Sequence, residues 1–173
     1  MILATGLNNP RLPRAFTLIE LILVLALLVI ITSLAAPAMA RFIRGRALDS
    51  EARRLLALLH AGQSRAVSEG LPAVLWVDAK KNSYGLEAEA SGTDGDPKAE
   101  TLLVDATLQI ASESGTAGEA STFKNLPAIR FLADGSVDEN APSALRLSDG
   151  EGFSRWLIAA QDGSGYEIRD RQN

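Results

Sequence analysis

The side chains able to act as acids, nucleophiles or metal ligands are few and scattered. His60 is the single histidine and the chain has no cysteine, so neither a metal shell nor a paired acid and base assembles around it. Serines are plentiful, but no Gly-x-Ser-x-Gly elbow presents one as a nucleophile. Asp94-Gly95-Asp96 has the opening of a calcium loop without its further spaced oxygens or closing Glu, and reads as a solvated loop tip. Gly115-Thr116-Ala117-Gly118 is not followed by the Lys-Ser or Lys-Thr of a phosphate loop. Arg169 and Arg171 alternate with Glu167 and Asp170, the pattern of a solvated terminal strand rather than a nucleic-acid contact. Trp76 and Trp156 read as anchors of a sheet. No catalytic residue, metal or cofactor is expected, and one group stands apart: Glu20.

Glu20 begins a run, Leu21 to Ala40, of twenty residues without a charge. At 1.5 Å per residue that is about 30 Å of helix, the thickness of a bilayer's hydrocarbon core. A charge at the centre of such a span costs about 2.5–3.5 kcal/mol, and less near the interface. A cation about 4 Å away returns about 4 kcal/mol at an effective dielectric near 20. Glu20 is therefore a candidate for recognising a positive group on another subunit. Thr17 and Glu20 also have the Thr-x-x-Glu spacing of a capping box, which starts a helix with its acid at the positive end of the dipole. The two roles are compatible.

These residues carry a resemblance. Arg14-Ala15 followed by Phe16-Thr17-Leu18-Ile19-Glu20 and an apolar helix is similar to the class III signal of type IV pilins and type II secretion pseudopilins. The resemblance implies prepilin peptidase cleavage between Ala15 and Phe16, N-methylation of Phe16, and a role for Glu20 in partnering the N-terminal amine of an adjacent subunit. Ala15 departs from the family's usual Gly at that position, which implies slower processing. Pro37 falls where many members carry a proline. Within a helix it removes a hydrogen bond and invites a kink or local melting.

With 17 basic and 21 acidic residues the net charge is −4, and loss of Arg11 and Arg14 with the leader leaves 15 basic against 21 acidic, or −6. An acidic surface argues against nucleic acid as the main partner, since affinity there comes largely from neutralising phosphates. Ala36-Pro37-Ala38-Met39-Ala40 could pass for a conventional signal cleavage site, but the apolar run is too long for one and carries Glu20 at its head. Arg41, Arg44 and Arg46 follow the span and Arg11 and Arg14 precede it, so the positive-inside rule does not orient the chain. The orientation with the leader in the cytoplasm and the C-terminus outside is implied by the resemblance alone.

The chain has room for one helix and one modest domain. Residues 1–15 form the leader, 16–40 the apolar helix, 41–70 its amphipathic continuation and 71–173 a β-rich head. Leu48, Ala52, Leu55, Leu59 and Ala66 share a face, widened by Leu56, while Arg53, Arg54, Ser64 and Arg65 fall largely outside it. Gly70 and Pro72 stop the helix, giving one run from about Thr17 to Glu69. Beyond it, Ala73–Val77 and Tyr84–Glu87 flank a hairpin turn at 80–83. Further strands are expected at Leu102–Ile110, Ala128–Leu132, Ala144–Leu147, Arg155–Ala160 and Tyr166–Arg169, with turns at Asp134-Gly135 and Asp162-Gly163. The loops 90–100 and 111–122 are polar and little constrained.

The stretch Ile129-Arg130-Phe131-Leu132-Ala133-Asp134-Gly135-Ser136 resembles the C-terminal domain shared by H-type minor pseudopilins and FimT/FimU-like minor pilins, where a Phe-x-x-x-Gly turn recurs. The two resemblances together imply an α+β, pilin-like fold: a long N-terminal helix packed on a small antiparallel β-rich head. They imply a minor pseudopilin of type II secretion, helping export of folded proteins, in the bacterial inner membrane as a single-pass protein with a periplasmic head. Its partners are then other major and minor pseudopilins, the prepilin peptidase, the inner-membrane assembly platform and, before assembly, lipid. The alternative is a minor type IV pilin in pilus priming, twitching or DNA uptake. A membrane-anchored periplasmic enzyme would need a catalytic constellation absent from the sequence.

Overall fold

The computed structural model describes residues 16–89, 95–113, 121–160 and 163–169. The expectations for the leader with Ala15, for Asp94, Gly115–Gly118, Asp162, Asp170 and Arg171 lie outside these. The chain divides into two units, Met1–Arg41 and Phe42–Asn173.

Helix α1 runs from Leu18 to Glu69 without interruption in its assignment at Pro37. In the first unit its side chains from Leu18 to Pro37 are exposed throughout. The hydroxyls of that stretch are satisfied within the helix: Thr32 Oγ1 donates to the Leu28 carbonyl at 2.8 Å and Ser33 Oγ to that of Ile30 at 2.8 Å. Such back-bonding removes the cost of carrying a hydroxyl into an apolar medium.

In the second unit the helix presents Leu48, Ala52, Leu55, Leu59 and Ala66, each at 0–1 % exposure, to the core. Gly62, also buried, fills the interval between Leu59 and Ala66 and completes a +4, +3, +4, +3, +4 run. A side chain there would meet Leu86 Cδ1 at 2.8 Å and the Phe131 ring at 3.0 Å, so glycine permits the close approach of helix and sheet. Gly70, at φ +66°, ends the helix in the left-handed conformation a C-terminal cap requires.

Among the described residues nine strands follow: β1 Ala73–Asp78, β2 Ser83–Ala88, β3 Glu100–Leu103, β4 Leu108–Glu113, β5 Thr122–Phe123, β6 Leu126–Phe131, β7 Ala144–Asp149, β8 Ser154–Ala159 and β9 Tyr166–Arg169. They form two antiparallel sheets, ordered β3-β2-β1-β6-β5 and β4-β7-β8-β9. Alternation along β1 sends Ala73, Leu75 and Val77 into the core with Leu145, Leu147 and Leu157 of the second sheet.

The single strand expected over Leu102–Ile110 is instead two strands in different sheets. Asp105 Oδ1 accepts from the Thr107 amide and hydroxyl at 2.8 and 2.6 Å, and the Leu108 amide bonds back to the Asp105 carbonyl at 2.9 Å. This aspartate-centred turn breaks the ladder and sends the chain across to the second sheet. Asn82 joins the sheets at this point. Its Nδ2 donates to the Leu108 carbonyl at 2.7 Å and its Oδ1 accepts from the Ile110 amide at 3.1 Å.

The short strand β5 was not anticipated. It pairs with β6 through Lys124-Asn125, both at positive φ (52° and 64°), the geometry of a two-residue primed turn.

Candidate assembly site

At the head of α1, Thr17 Oγ1 accepts the Glu20 amide at 3.2 Å, and the Leu21 amide bonds to the Thr17 carbonyl at 3.2 Å. Thr17 thus takes one of the four amides that a helix start leaves unpaired. Glu20 lies in the first turn, where the helix dipole favours an anion. Its side chain is exposed, and among the described residues its carboxylate has no cationic partner. An acid poised at the head of an apolar helix is chemically fit to accept a cation from outside the chain. Phe16, before the helix, is 81 % exposed.

In the head, the stretch Ile129–Ser136 is explained by two adjacent helix residues. Phe131 packs against Gly62, and the Gly135 carbonyl accepts from Gln63 Nε2 at 2.7 Å. The same Nε2 donates to the Ser164 carbonyl at 2.9 Å, so one helix side chain ties two turns. Gly135 sits at φ +87°, and Asp134 Oδ1 takes the Ser136 amide and hydroxyl at 2.9 and 2.6 Å. Those hydrogen bonds, the hydroxyl's first, hold the Asp134 carboxyl below its usual range. The Phe-x-x-x-Gly spacing is thus the distance between a ring on the helix face and a carbonyl over the next helical residue.

Two buried polar arrangements were missed by sequence reasoning. Glu51, at 6 % exposure, accepts from the Tyr84 hydroxyl at 2.8 Å. Burial first, and then this carboxylate, push the Tyr84 phenol well above its ordinary value. Asp96, from the stretch read as a loop tip, is instead clamped. Arg65 Nη1 and Nη2 each reach one of its oxygens at 2.7 Å, and the Ala88 and Lys98 amides add bonds at 2.8 and 2.9 Å. Its side chain is 3 % exposed. The Arg65 guanidinium above all holds the Asp96 carboxyl far below the usual range. Glu69, paired with Lys98 and Arg65 at 2.7 and 3.1 Å, extends the clamp. The signal available in the sequence was the amphipathic boundary at Arg65, which names no partner.

His60 is exposed and lines a shallow groove with Gln63, Val67 and Gly135. Among the described residues no three His, Cys, Asp or Glu side chains are placed to hold a metal. Both tryptophans lie on sheet faces turned away from α1. Trp156 is buried beneath the Arg146 guanidinium, 5.6 Å from its ring, and Trp76 is half-buried over Gly85 with its indole N–H on Glu87 at 2.9 Å. Arg169 pairs with Glu167 on β9.

The fold, one long N-terminal helix followed by antiparallel sheets, is that of pilin-like proteins. A family model described as "Type II transport protein GspH" matches residues 51–163. The chain belongs to that family, the minor pseudopilins of type II secretion. The minor pseudopilin EpsH of the Vibrio cholerae type II secretion system matches with a TM-score of 0.52 at 14 % identity, covering 74 % of this chain and 96 % of that one. A second EpsH structure gives 0.51 at 14 % identity, over 70 % and 94 %. The Pseudomonas aeruginosa type IV minor pilin FimU gives 0.52 at 18 % identity, over 76 % and 92 %. At these identities the likeness is one of fold. No curated protein sequence matches the chain.

Proposed function

We propose that the chain acts by assembly and not by catalysis, as a minor subunit of the periplasmic pseudopilus of type II secretion. The observation that carries this reading is the family match over residues 51–163. The exposed apolar half of α1 supports it, since a helix of that length and polarity requires lipid or other apolar helices around it. Residues 1–15 are a leader cut by prepilin peptidase between Ala15 and Phe16, and Phe16 is then N-methylated. Residues 16–40 anchor the protein in the bacterial inner membrane, 41–70 continue the helix, and 71–173 form a head in the periplasm. On assembly the apolar segment leaves the bilayer for a filament core, Glu20 accepts the amino terminus of a neighbouring pseudopilin, and Pro37 provides the point where the helix bends. The assembly platform of the inner membrane drives this transfer.

A clean deletion, assayed side by side for release of secreted hydrolases and for twitching and DNA uptake, tests the reading. Enzymes trapped in the periplasm with motility unchanged are expected. Normal secretion with lost motility or transformation moves the protein to the type IV pilus, the reading that the FimU-like fold also accommodates. Intact mass tests processing separately: the mature chain begins at methylated Phe16, and a mass that retains Met1–Ala15 beside an active peptidase contradicts it.

A further inference from the structure

At the start of the second unit three large apolar side chains are left in the open: Phe42, Ile43 and Phe153, at 62, 60 and 54 % exposure. Single exposed apolar residues are ordinary, but a group at one end of a domain marks a contact surface. Phe153 belongs to the β7–β8 turn, and that turn is fastened to the same part of the helix. Arg44 Nη2 meets Glu151 Oε1 at 2.7 Å, and Arg155 of β8 meets Asp49 at 2.7 Å. The turn is itself closed, because Asp149 Oδ1 accepts the Glu151 and Phe153 amides at 3.0 and 2.9 Å and Gly152 takes φ +92°. The aromatic side chain is thus carried on a braced support beside helix residues 44–49.

The charge of this end is opposite to that of the protein. Arg41, Arg44, Arg46 and Arg155 against Asp49, Asp149 and Glu151 give +1, in a chain whose mature form is acidic overall. Arg44 neutralises Glu151 of the turn, and the Arg46 guanidinium lies 5.8 Å from the Phe42 ring. Phe42 to Arg46 follow the last residue of the apolar run, Ala40, by two to six positions. At 1.5 Å per residue that is about 3–9 Å of helix, and the headgroup layer is about 5–8 Å deep on each side of a bilayer. Chain connectivity therefore keeps Phe42 to Gly45 within the headgroup layer and Arg46 at its outer edge.

We propose that Phe42, Ile43, Arg46 and the Phe153 turn form a foot that rests in the headgroup layer of an anionic bilayer while residues 21–40 span it. Phe and Ile side chains flanked by basic residues bury at the boundary between headgroups and acyl chains, and arginines there pair with anionic lipid. Arg46, one of the arginines that follow the span, is then a lipid ligand instead of a topology signal. The proposal rests on the reading of 21–40 as a membrane span.

The chain has no cysteine, so single cysteines can be spin-labelled in the full chain. The sites are Phe153→Cys, Ile43→Cys, Leu28→Cys in the span and Leu71→Cys beyond the far end of the helix, each in nanodiscs of zwitterionic lipid with and without phosphatidylglycerol. Labels at 153 and 43 are expected to show a several-fold higher ratio of oxygen to nickel-chelate accessibility than the label at 71, rising further with anionic lipid. A label at 28 in lipid with 153 and 43 as wet as 71 overturns the foot alone. A label at 28 in water overturns the membrane span and the foot together. Shielding of 153 from both probes means a protein partner covers it, and insertion indifferent to phosphatidylglycerol removes the arginines from the contact; either outcome contradicts the proposal.

Discussion

The two parts of helix α1 share one backbone conformation and differ in their side chains and in what surrounds them. From Leu18 to Pro37 every side chain is exposed, whereas from Leu48 to Ala66 one face in every turn is buried to 0–1 %. The later part finds its apolar partners within the chain, in Leu75, Phe131, Leu145 and Leu157. The earlier part is exposed throughout, and its one acid has no partner among the described residues. A helix complete by itself and a helix incomplete by itself are thus joined end to end. The first is a matter of folding, and the second, on the proposed function, a matter of assembly.

Substitutions separate the two. Leu59→Ala is expected to destabilise the head by about 2–5 kcal/mol through transfer and cavity terms, read as a lower midpoint in urea for the full chain in detergent. Leu27→Ala should leave that midpoint unmoved, and an equal loss at both sites would erase the distinction. Phe131→Ala should cost about 3–5 kcal/mol, with Gly62 as the wall of the cavity left behind.

The polar ties within the head are worth less. Tyr84→Phe leaves the Glu51 carboxylate buried with one donor fewer, a loss of about 1–3 kcal/mol, measurable by the same unfolding curve. Its pH dependence has a defined sign. The Tyr84 phenol is raised in the fold, so its contribution is complete below the ordinary phenol value near 10 and is lost as pH rises through the folded value. Asp96 works the other way. Its carboxyl is lowered by Arg65, so its contribution is present above the ordinary carboxylate value near 3.9 and fades as pH falls through the folded value. Asp96→Asn should flatten the acid limb of a stability profile, and an unchanged acid limb would show that the clamp contributes nothing.

Much of this was legible in the residues. The stripe Leu48, Ala52, Leu55 and Leu59 has helical spacing, Gly70 and Pro72 mark the helix end, and Lys80–Ser83 marks the first hairpin, because these signals act within a few positions of the chain. What was not legible depends on distant partners. Asp105 reads as one polar residue in an apolar run until Thr107 folds back on it. Gly62 looks like a weak point in a helix until the Phe131 ring arrives. Asp96 resembles a loop tip because Arg65, thirty-one positions away, leaves no local trace. Lys124-Asn125 makes a primed turn without glycine, so the usual dipeptide signal was missing. At the head of the helix the residue types were readable, but among the described residues Glu20 has no cationic partner, and the neighbour proposed for it is a second subunit.

The most direct test of the division between the folded and the assembling parts is a deletion strain complemented with wild-type protein or with Glu20→Ala, followed by cross-linking to the other pseudopilins. Membrane insertion and head stability equal to wild type, with cross-links to other pseudopilins lost, is the predicted result. Glu20→Ala protein that cross-links into the pseudopilus as wild type does would contradict the account and remove Glu20 from assembly.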